Sequence, residues 1–281
     1  KRIPFFKTII IAGQQRMIKL IASDLDGTLL DNEGKLPEGI FQAIEKLAAQ
    51  GILFCPASGR QLTALKKMFE PVSDKILIMA ENGAIVSYKD DLLHCDSLPR
   101  QDILDALDAV ACVSDAHPLL CTPDCAYYQT EEQPFITYVR ASYISNAKRD
   151  LREVASAEKV CKIAVYDGHG PENNGMKILP EHLPDLRIIQ SGGNWLDISQ
   201  KHADKGHALR FIFQKFGLSE KDCVAFGDHM NDYEMLLECG HPYVTENAYP
   251  PLKQKIGKIV PSNADHGVLK SILLISEGIL P

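Results

Sequence analysis

The fold is decided by the stretch Ile18-Lys19-Leu20-Ile21-Ala22-Ser23-Asp24-Leu25-Asp26-Gly27-Thr28-Leu29-Leu30. Residues 17–22 form a short apolar run rich in isoleucine and leucine, which predicts a strand buried on both faces. Gly27 breaks the pattern, and two aspartates lie just past the carboxyl end of the predicted strand. Open α/β sheets bind their ligands at that edge. The stretch therefore predicts an α/β fold with a site beside this strand.

Asp24 and Asp26 are two carboxylates separated by one residue. In an extended chain, side chains at i and i+2 project to the same side, and like charges so close need a shared proton or a cation. Mg²⁺ is the hard cation that best fits oxygen ligands of this kind. The alternative is a strand end with two solvated acids, and the pair alone leaves that alternative open.

The composition is that of an ordinary globular protein. The 281 residues are enough for one or two domains. The net charge of -7 argues against nucleic acid as a partner, because phosphate backbones attract basic surfaces. No apolar run approaches the roughly 18 residues needed to span a membrane, so we expect no membrane partner. The eight cysteines show no paired framework, which is typical of reduced thiols in a cytoplasmic protein.

Residues 1–16 faintly resemble a signal peptide, because Lys1-Arg2 precedes an apolar region. Lys7 interrupts that region, and a compact domain begins directly afterwards. We interpret residues 1–16 as upstream or expression-derived sequence and Met17 as the natural start.

Alternating helix and strand patterns follow the first strand. Residues 37–50 predict a helix, 52–55 a second buried strand and 75–80 a third. Ser58-Gly59 stands where the second strand passes into a helix, and a hydroxyl with free backbone N–H groups there suits an anion. Most Ser-Gly pairs are only caps or turns. The β-α-β-α-β order predicts a doubly wound, Rossmann-like parallel sheet.

The pattern changes at residue 84. Residues 84–88 and 92–95 predict a hairpin, and further helices and strands follow as far as residue 190. Residues 194–199 have the pattern of a return to the first domain. We therefore expect an inserted α+β unit over 84–195, and a first domain made of 17–83 and 196–281.

A second acidic cluster lies far along the chain. The apolar run 223–226 predicts a strand, which ends in Gly227-Asp228-His229-Met230-Asn231-Asp232. Upstream, Lys205 stands in the first turn of a predicted helix, where a lysine opposes the helix dipole. Taken alone, Lys205 is read as a solvated lysine. This second acidic cluster has the same strand-end context as the first, at Asp24 and Asp26.

Taken in order, these motifs resemble those of the haloacid dehalogenase superfamily. Its four motifs are matched by Asp24-Leu25-Asp26-Gly27-Thr28, Ser58-Gly59, Lys205 and Gly227-Asp228-x-x-Asn231-Asp232. Glu81-Asn82-Gly83-Ala84 and the large insertion are similar to its Cof-type sugar-phosphatase branch, in which the insertion is a type-2 α/β cap. The resemblance covers residues 17–276, and Ser58 departs from it by standing where threonine is common.

The resemblance implies a role for each motif. Asp24 would be the nucleophile that forms an aspartyl-phosphate, and Asp26 the acid and then the base. Mg²⁺ would be held by Asp24, Asp228 and the backbone carbonyl of Asp26. Lys205 would neutralise the negative charge on the phosphoryl oxygens. The residues implied to bind the phosphoryl group or substrate are Leu25, Ser58, Gly59, Asn82, Lys205 and Asn231. Thr28 and Asp232 are implied to hold these ligands in place without binding the metal or the substrate themselves.

The expected function is a Mg²⁺-dependent phosphatase that acts on a small phosphorylated metabolite, such as a hexose phosphate, as a monomer or homodimer. The cap would close over the core and choose the substrate. Two alternatives stay open. One is a phosphomutase or other phosphotransferase acting on a sugar phosphate, and the other is a phosphosugar-binding module without turnover. The fold alone does not decide between them, because one sheet architecture hosts many chemistries.

Overall fold

The structure is a computed structural model that describes residues 18–279. The expectations for residues 1–16 and for Met17 lie outside this range. The strands in chain order are β1 (Leu20–Ser23), β2 (Leu53–Pro56), β3 (Leu77–Ala80), β4 (Ile85–Tyr88), β5 (Asp91–Cys95), β6 (Ala116–Cys121), β7 (Ala126–Tyr128), β8 (Asn146–Lys148), β9 (Lys162–Asp167), β10 (Leu186–Gly192), β11 (Trp195–Gln200), β12 (Cys223–Gly227), β13 (His241–Thr245) and β14 (Ile259–Val260).

The α-helices in chain order are α1 (Ile40–Ala49), α2 (Leu62–Met68), α3 (Arg100–Ala111), α4 (Phe135–Ser142), α5 (Leu151–Ala157), α6 (Gly175–His182), α7 (Lys205–Phe216), α8 (Tyr233–Glu238), α9 (Pro250–Ile256) and α10 (Gly267–Ser276). Among residues 18–279, no helix is both long enough and apolar enough to cross a bilayer. Residues 18–279 form two compact units. The first contains 18–59, 69–93 and 204–279, and the second contains Arg60–Met68 and His94–Ala203.

A parallel sheet in the order β14-β13-β12-β1-β2 forms the centre of the first unit. Parallel bridges from Phe54 to Ile76 and from Ala57 to Met79 continue the pairing towards the β3 segment. Every residue of β1, β2 and β12 is buried. Strands of a parallel α/β sheet are covered on both faces, which is why continuous apolar runs form them. The predicted α/β fold with a parallel central sheet is confirmed.

The register of this sheet places the ends of three strands at one edge. Ser23, at the end of β1, pairs with Phe226 of β12 on one side and with Pro56 of β2 on the other. The Ala57 N–H donates to the Ser23 carbonyl over 2.8 Å, so the pairing continues past the end of β2. The residues that follow β1, β2 and β12 therefore begin at the same edge of the sheet.

The boundaries between the units differ from the predicted ones. β4 pairs antiparallel with β3, so the hairpin expected to open the insertion at residue 84 lies mostly in the first unit, which continues to Leu93. β11 pairs with β9 and β10, so the first unit resumes at Asp204 rather than at residue 196. Arg60–Met68 also groups with the second unit. Hydrophobic alternation indicates a strand but not the sheet in which it pairs.

The second unit contains a six-stranded sheet in the order β10-β11-β9-β6-β7-β8. Its strand pairs are antiparallel except for β7 with β8. Alternate residues, such as Ile163, Val165 and Leu196, pack with apolar residues of α3, α5 and α6 in one core. Helices on one face of a mainly antiparallel sheet are typical of an α+β unit. The sequence pattern did not predict α4, β8 or α5.

Candidate active site

Asp24 stands at the carboxyl end of β1. Its backbone N–H donates to the Phe226 carbonyl over 3.0 Å, which holds the residue against β12. The residue is only 5% exposed. Asp26, its partner in the motif, lies on the following turn and is exposed. The two aspartates thus have different surroundings, as two carboxyl groups with different roles require.

The turn after Asp24 closely approaches the second acidic cluster. Gly27 has a φ of 82°, in the left-handed region that favours glycine. A Cβ on Gly27 would lie 2.3 Å from Asp228 Oδ2, so a larger residue would displace that carboxylate. Thr28 Oγ1 donates to Asp228 Oδ1 over 3.0 Å. The turn and Asp228 are therefore in direct contact, although they are far apart in the chain.

Lys205 lies in the first turn of α7. The Asp204 side chain caps this helix by accepting the His207 N–H over 2.7 Å. The Lys205 side chain is completely buried, and its Nζ donates to Asp24 Oδ1 and to Asp232 Oδ1, each over 2.6 Å. The lysine is thus paired with two carboxylates and is not the solvated residue that its position alone suggested.

Asp232 is fully buried and also orders the turn that carries Asp228. Its Oδ2 accepts the N–H groups of Asp228 (2.9 Å) and His229 (3.1 Å). Hydrogen bonds to a charged acceptor are strong, so Asp232 fixes the backbone at Asp228 while its other oxygen binds Lys205. Asn231 lies beside it, half-buried, in a short 3-10 turn.

Three carboxylates share this site with one ammonium group. Asp24, Asp228 and Asp232 each offer an oxygen within 4.8 Å of the other two. Burial and the charge of Asp232 raise the pKa of Asp24 well above its usual value, against the opposing charge of Lys205. Burial and Asp232 also raise the pKa of Asp228 to about 6. At both carboxyl groups, burial and the repulsion from Asp232 therefore outweigh the attraction of Lys205.

This donor set suits a hard divalent cation. Mg²⁺ binds carboxylate, carbonyl and water oxygens, often through only one or two carboxylates. A cation at Asp24 and Asp228 would supply the missing positive charge and favour the ionised form of both acids. The residues present therefore fit the metal that the sequence predicted.

Ser58, Gly59 and Asn82 lie together where β2 and β3 end. The Ser58 N–H donates to the Met79 carbonyl (2.9 Å), and the Ser58 carbonyl accepts the Asn82 N–H (3.0 Å). A Cβ on Gly59 would lie 2.9 Å from Asn82 Nδ2. Asn82 has a φ of 54°, and its Oδ1 is buried without a hydrogen-bond partner among residues 18–279. A buried amide oxygen of this kind costs free energy unless a ligand pairs with it.

Two asparagines that were not among the predicted site residues contact the turn after Asp24. Asn247 Nδ2 donates to the Gly27 carbonyl over 2.7 Å, and Asn263 Nδ2 donates to the Leu30 carbonyl over 3.0 Å. Leu25, a predicted site residue, is buried on the same turn and accepts the Leu30 N–H over 2.9 Å. Each asparagine follows the end of a strand, β13 or β14, and this is the signal that could have identified it.

Comparisons with known proteins agree with this geometry. Residues 21–272 match the family model of the haloacid dehalogenase-like hydrolases. The HMP-PP phosphatase of Escherichia coli (strain 55989 / EAEC) is 29% identical over 244 residues, which cover 85% of this chain and 88% of that protein. The crystal structure of TM0651 from Thermotoga maritima, 27% identical, superposes with a TM-score of 0.80 over 92% of this chain and 97% of that one.

A haloacid dehalogenase-like hydrolase from B. subtilis has the same fold at 22% identity. Its TM-score is 0.78, and the match covers 91% of this chain and 99% of that one. The family model spans most of both compact units, and relatives that match most of the chain are named phosphatases. The chain belongs to the haloacid dehalogenase-like hydrolases, in their Cof-type branch, and is a phosphatase.

Proposed function

We propose that this phosphatase uses Mg²⁺ to hydrolyse a small phosphorylated metabolite, such as a sugar phosphate, through an aspartyl-phosphate on Asp24. One observation carries the proposal. The buried Asp24 carboxylate is bound by Lys205 and lies within 4.8 Å of two further carboxylates. A site so rich in negative charge suits a cation and, through it, a phosphoryl group.

Asp24 is the proposed nucleophile. Phosphate monoesters hydrolyse extremely slowly without catalysis, and a covalent intermediate divides the reaction into two easier steps. Lys205 donates to Asp24 Oδ1, which holds the carboxylate in one orientation. Attack by Asp24 on phosphorus would form the aspartyl-phosphate and break the bond to the leaving alkoxide.

Asp26 is the proposed general acid and base. Its exposed side chain is accessible both to the leaving oxygen of a substrate and to water. It would protonate the leaving oxygen in the first step and remove a proton from the attacking water in the second.

Asp24, Asp228 and the Asp26 carbonyl are the groups that would hold Mg²⁺. When bound, the cation neutralises charge on the phosphoryl oxygens. Lys205 would add to this neutralisation. Thr28 and Asp232 would keep Asp228 in place, because the first donates to its Oδ1 and the second accepts its N–H.

The remaining predicted residues would bind the phosphoryl group or the substrate. Ser58 and the Gly59 N–H would contact phosphoryl oxygens, as would Leu25 through its N–H and Asn231 through its side chain. The unsatisfied Asn82 Oδ1 would accept a hydrogen bond from the substrate. We further propose that the inserted unit chooses the substrate. The name of the E. coli HMP-PP phosphatase supports a small phosphorylated metabolite as the substrate class.

Phosphate release from a panel of phosphorylated metabolites, with Mg²⁺ and with EDTA, tests the proposal. We expect turnover of at least one sugar phosphate, loss of turnover with EDTA, and a loss of about a thousandfold or more in Asp24→Asn. Asp74→Asn, in which the substituted side chain is 71% exposed, is the matched control and should keep the wild-type rate. Full turnover in EDTA, or in Asp24→Asn, would contradict the proposal.

A further inference from the structure

Residues 245–249, which begin with the last residue of β13, contact both acidic turns of the first unit. The Tyr249 N–H donates to the Asp228 carbonyl over 2.8 Å. Asn247 Nδ2 donates to the Gly27 carbonyl over 2.7 Å, and Thr245 Oγ1 donates to the same carbonyl over 3.5 Å. One short segment therefore joins the turn after β1 to the turn after β12.

A second asparagine orients the first. Asn247 Oδ1 accepts the Asn263 N–H over 3.0 Å. Asn263 is itself 5% exposed, and its Nδ2 donates to the Leu30 carbonyl (3.0 Å) and to Asn32 Oδ1 (3.1 Å). We call Asn247 and Asn263 the amide relay. In both side chains the amide nitrogen donates to carbonyl or amide oxygens, and in Asn247 the amide oxygen accepts an N–H. These hydrogen bonds therefore define one orientation of each side-chain amide.

The amide relay holds the turn after Asp24 at two points, the carbonyls of Gly27 and Leu30. Between these points the backbone passes Thr28, which donates to Asp228. Repulsion between the carboxylates of the buried Asp24 and the half-buried Asp228 would separate the two turns if nothing opposed it. The hydrogen bonds of the amide relay and of the Tyr249 N–H oppose this movement.

We propose that Asn247 and Asn263 are positioning residues, which preset the spacing between the turn of Asp26 and Asp228 for a divalent cation. They act through backbone carbonyls and are not themselves ligands. The inference rests on the proposed function, since it concerns the same metal site. Residues that support metal ligands in this way typically change metal affinity about 10- to 100-fold when mutated.

Calorimetric titration of the metal-free full chain with Mg²⁺ alone tests the proposal without any turnover. We expect the dissociation constant for Mg²⁺ to rise about tenfold or more in Asn247→Ala and in Asn263→Ala. Asn146→Ala is the matched control, because Asn146 also donates Nδ2 to a backbone carbonyl over 2.7 Å, in the second unit. It should bind Mg²⁺ like the wild type.

Circular dichroism and urea unfolding would establish that each variant is folded. Should Asn263→Ala not fold, Asn32→Ala removes one partner of the amide relay at an exposed position and should weaken Mg²⁺ binding in the same direction. A second readout is the Mg²⁺ dependence of p-nitrophenyl phosphate hydrolysis. The Mg²⁺ concentration for half-maximal rate should rise, while kcat at saturating Mg²⁺ recovers.

The possible failures are distinguishable. An unchanged Mg²⁺ dissociation constant in every folded relay variant, with normal binding by the wild type, overturns the role of the amide relay and leaves the proposed function intact. A wild-type chain that neither binds Mg²⁺ nor hydrolyses phosphate esters overturns both.

Discussion

Replacing Lys205 by methionine should destabilise the protein more than any surface substitution. The Lys205 side chain has no exposed surface, and its Nζ lies 2.6 Å from one oxygen of Asp24 and one of Asp232. Methionine has a similar length, so the substitution removes the charge without leaving a large cavity. Two buried carboxylates would then lack their ammonium partner.

The magnitude follows from this geometry. Breaking a buried ion pair by removing one partner costs about 3 to 5 kcal/mol, because the other charge stays buried and uncompensated. Burial by itself lowers the pKa of Lys205, but the charges of Asp232 and Asp24 outweigh it and raise the pKa above its usual value. The ammonium is therefore fully charged at neutral pH, and its stabilisation is lost only as the pH rises through this raised pKa. We expect Lys205→Met to lower the free energy of unfolding by about 3 to 5 kcal/mol.

Urea unfolding at neutral pH in EDTA, followed by circular dichroism, measures this loss without a cation in place of the lysine. Asp24→Asn in the Lys205→Met background removes one uncompensated charge and should restore about 1 to 3 kcal/mol. Lys35→Met is the matched control, because its ion pair with Glu33 has the same 2.6 Å length but exposed side chains, and it should change little. A Lys205→Met variant as stable as Lys35→Met would refute the reasoning.

Two further predictions concern the turn after Asp24 and the pH dependence of stability. Gly27→Ala should weaken Mg²⁺ binding in calorimetry, because the new Cβ would lie 2.3 Å from Asp228 Oδ2. Gly34→Ala is the control, because Gly34 has a similar φ (74°) but a Cβ there would have nothing within 4 Å, so Mg²⁺ binding should not change. Equal Mg²⁺ affinities in the two variants would contradict the predicted clash. Partial burial raises the pKa of Asp222, but hydrogen bonds from Ser219 outweigh it and hold the pKa below its usual value. The resulting stabilisation is present above the unfolded pKa of about 3.9 and is lost as the pH falls through the folded pKa. In urea unfolding, Asp222→Asn should therefore lower the free energy of unfolding most at neutral pH and less in acid. A loss of unfolding free energy that is independent of pH would contradict this assignment.

The central sheet could be predicted because its signals are local. Each strand of a parallel sheet is apolar on both faces, so β1, β2 and β12 appear as short apolar runs. The acids Asp24 and Asp228 directly follow two of these runs, and parallel pairing brings the ends of such strands to one edge. Local pattern and tertiary structure agree here, which is what made the position of the candidate site predictable.

The parts that escaped prediction depend on contacts between distant residues. Asn247 and Gly27 are 220 positions apart, and neither carries a local sign of the other. The predicted boundaries of the second unit differ from the observed ones for the same reason. β11 belongs to the second unit because it pairs with β9, a strand some 30 residues earlier in the chain. The burial of Lys205 likewise depends on its pairing with Asp24, which precedes it by 181 residues, and with Asp232, which follows it by 27.

The most direct test of the central claim is mass spectrometry of the enzyme after rapid acid quenching, during turnover of p-nitrophenyl phosphate with Mg²⁺. We predict that one phosphoryl group appears transiently on the peptide that contains Asp24, and that it is absent from Asp24→Asn. Phosphate release at the full rate while the phosphoryl group appears on a different residue, or on no peptide at any quench time, would contradict the account.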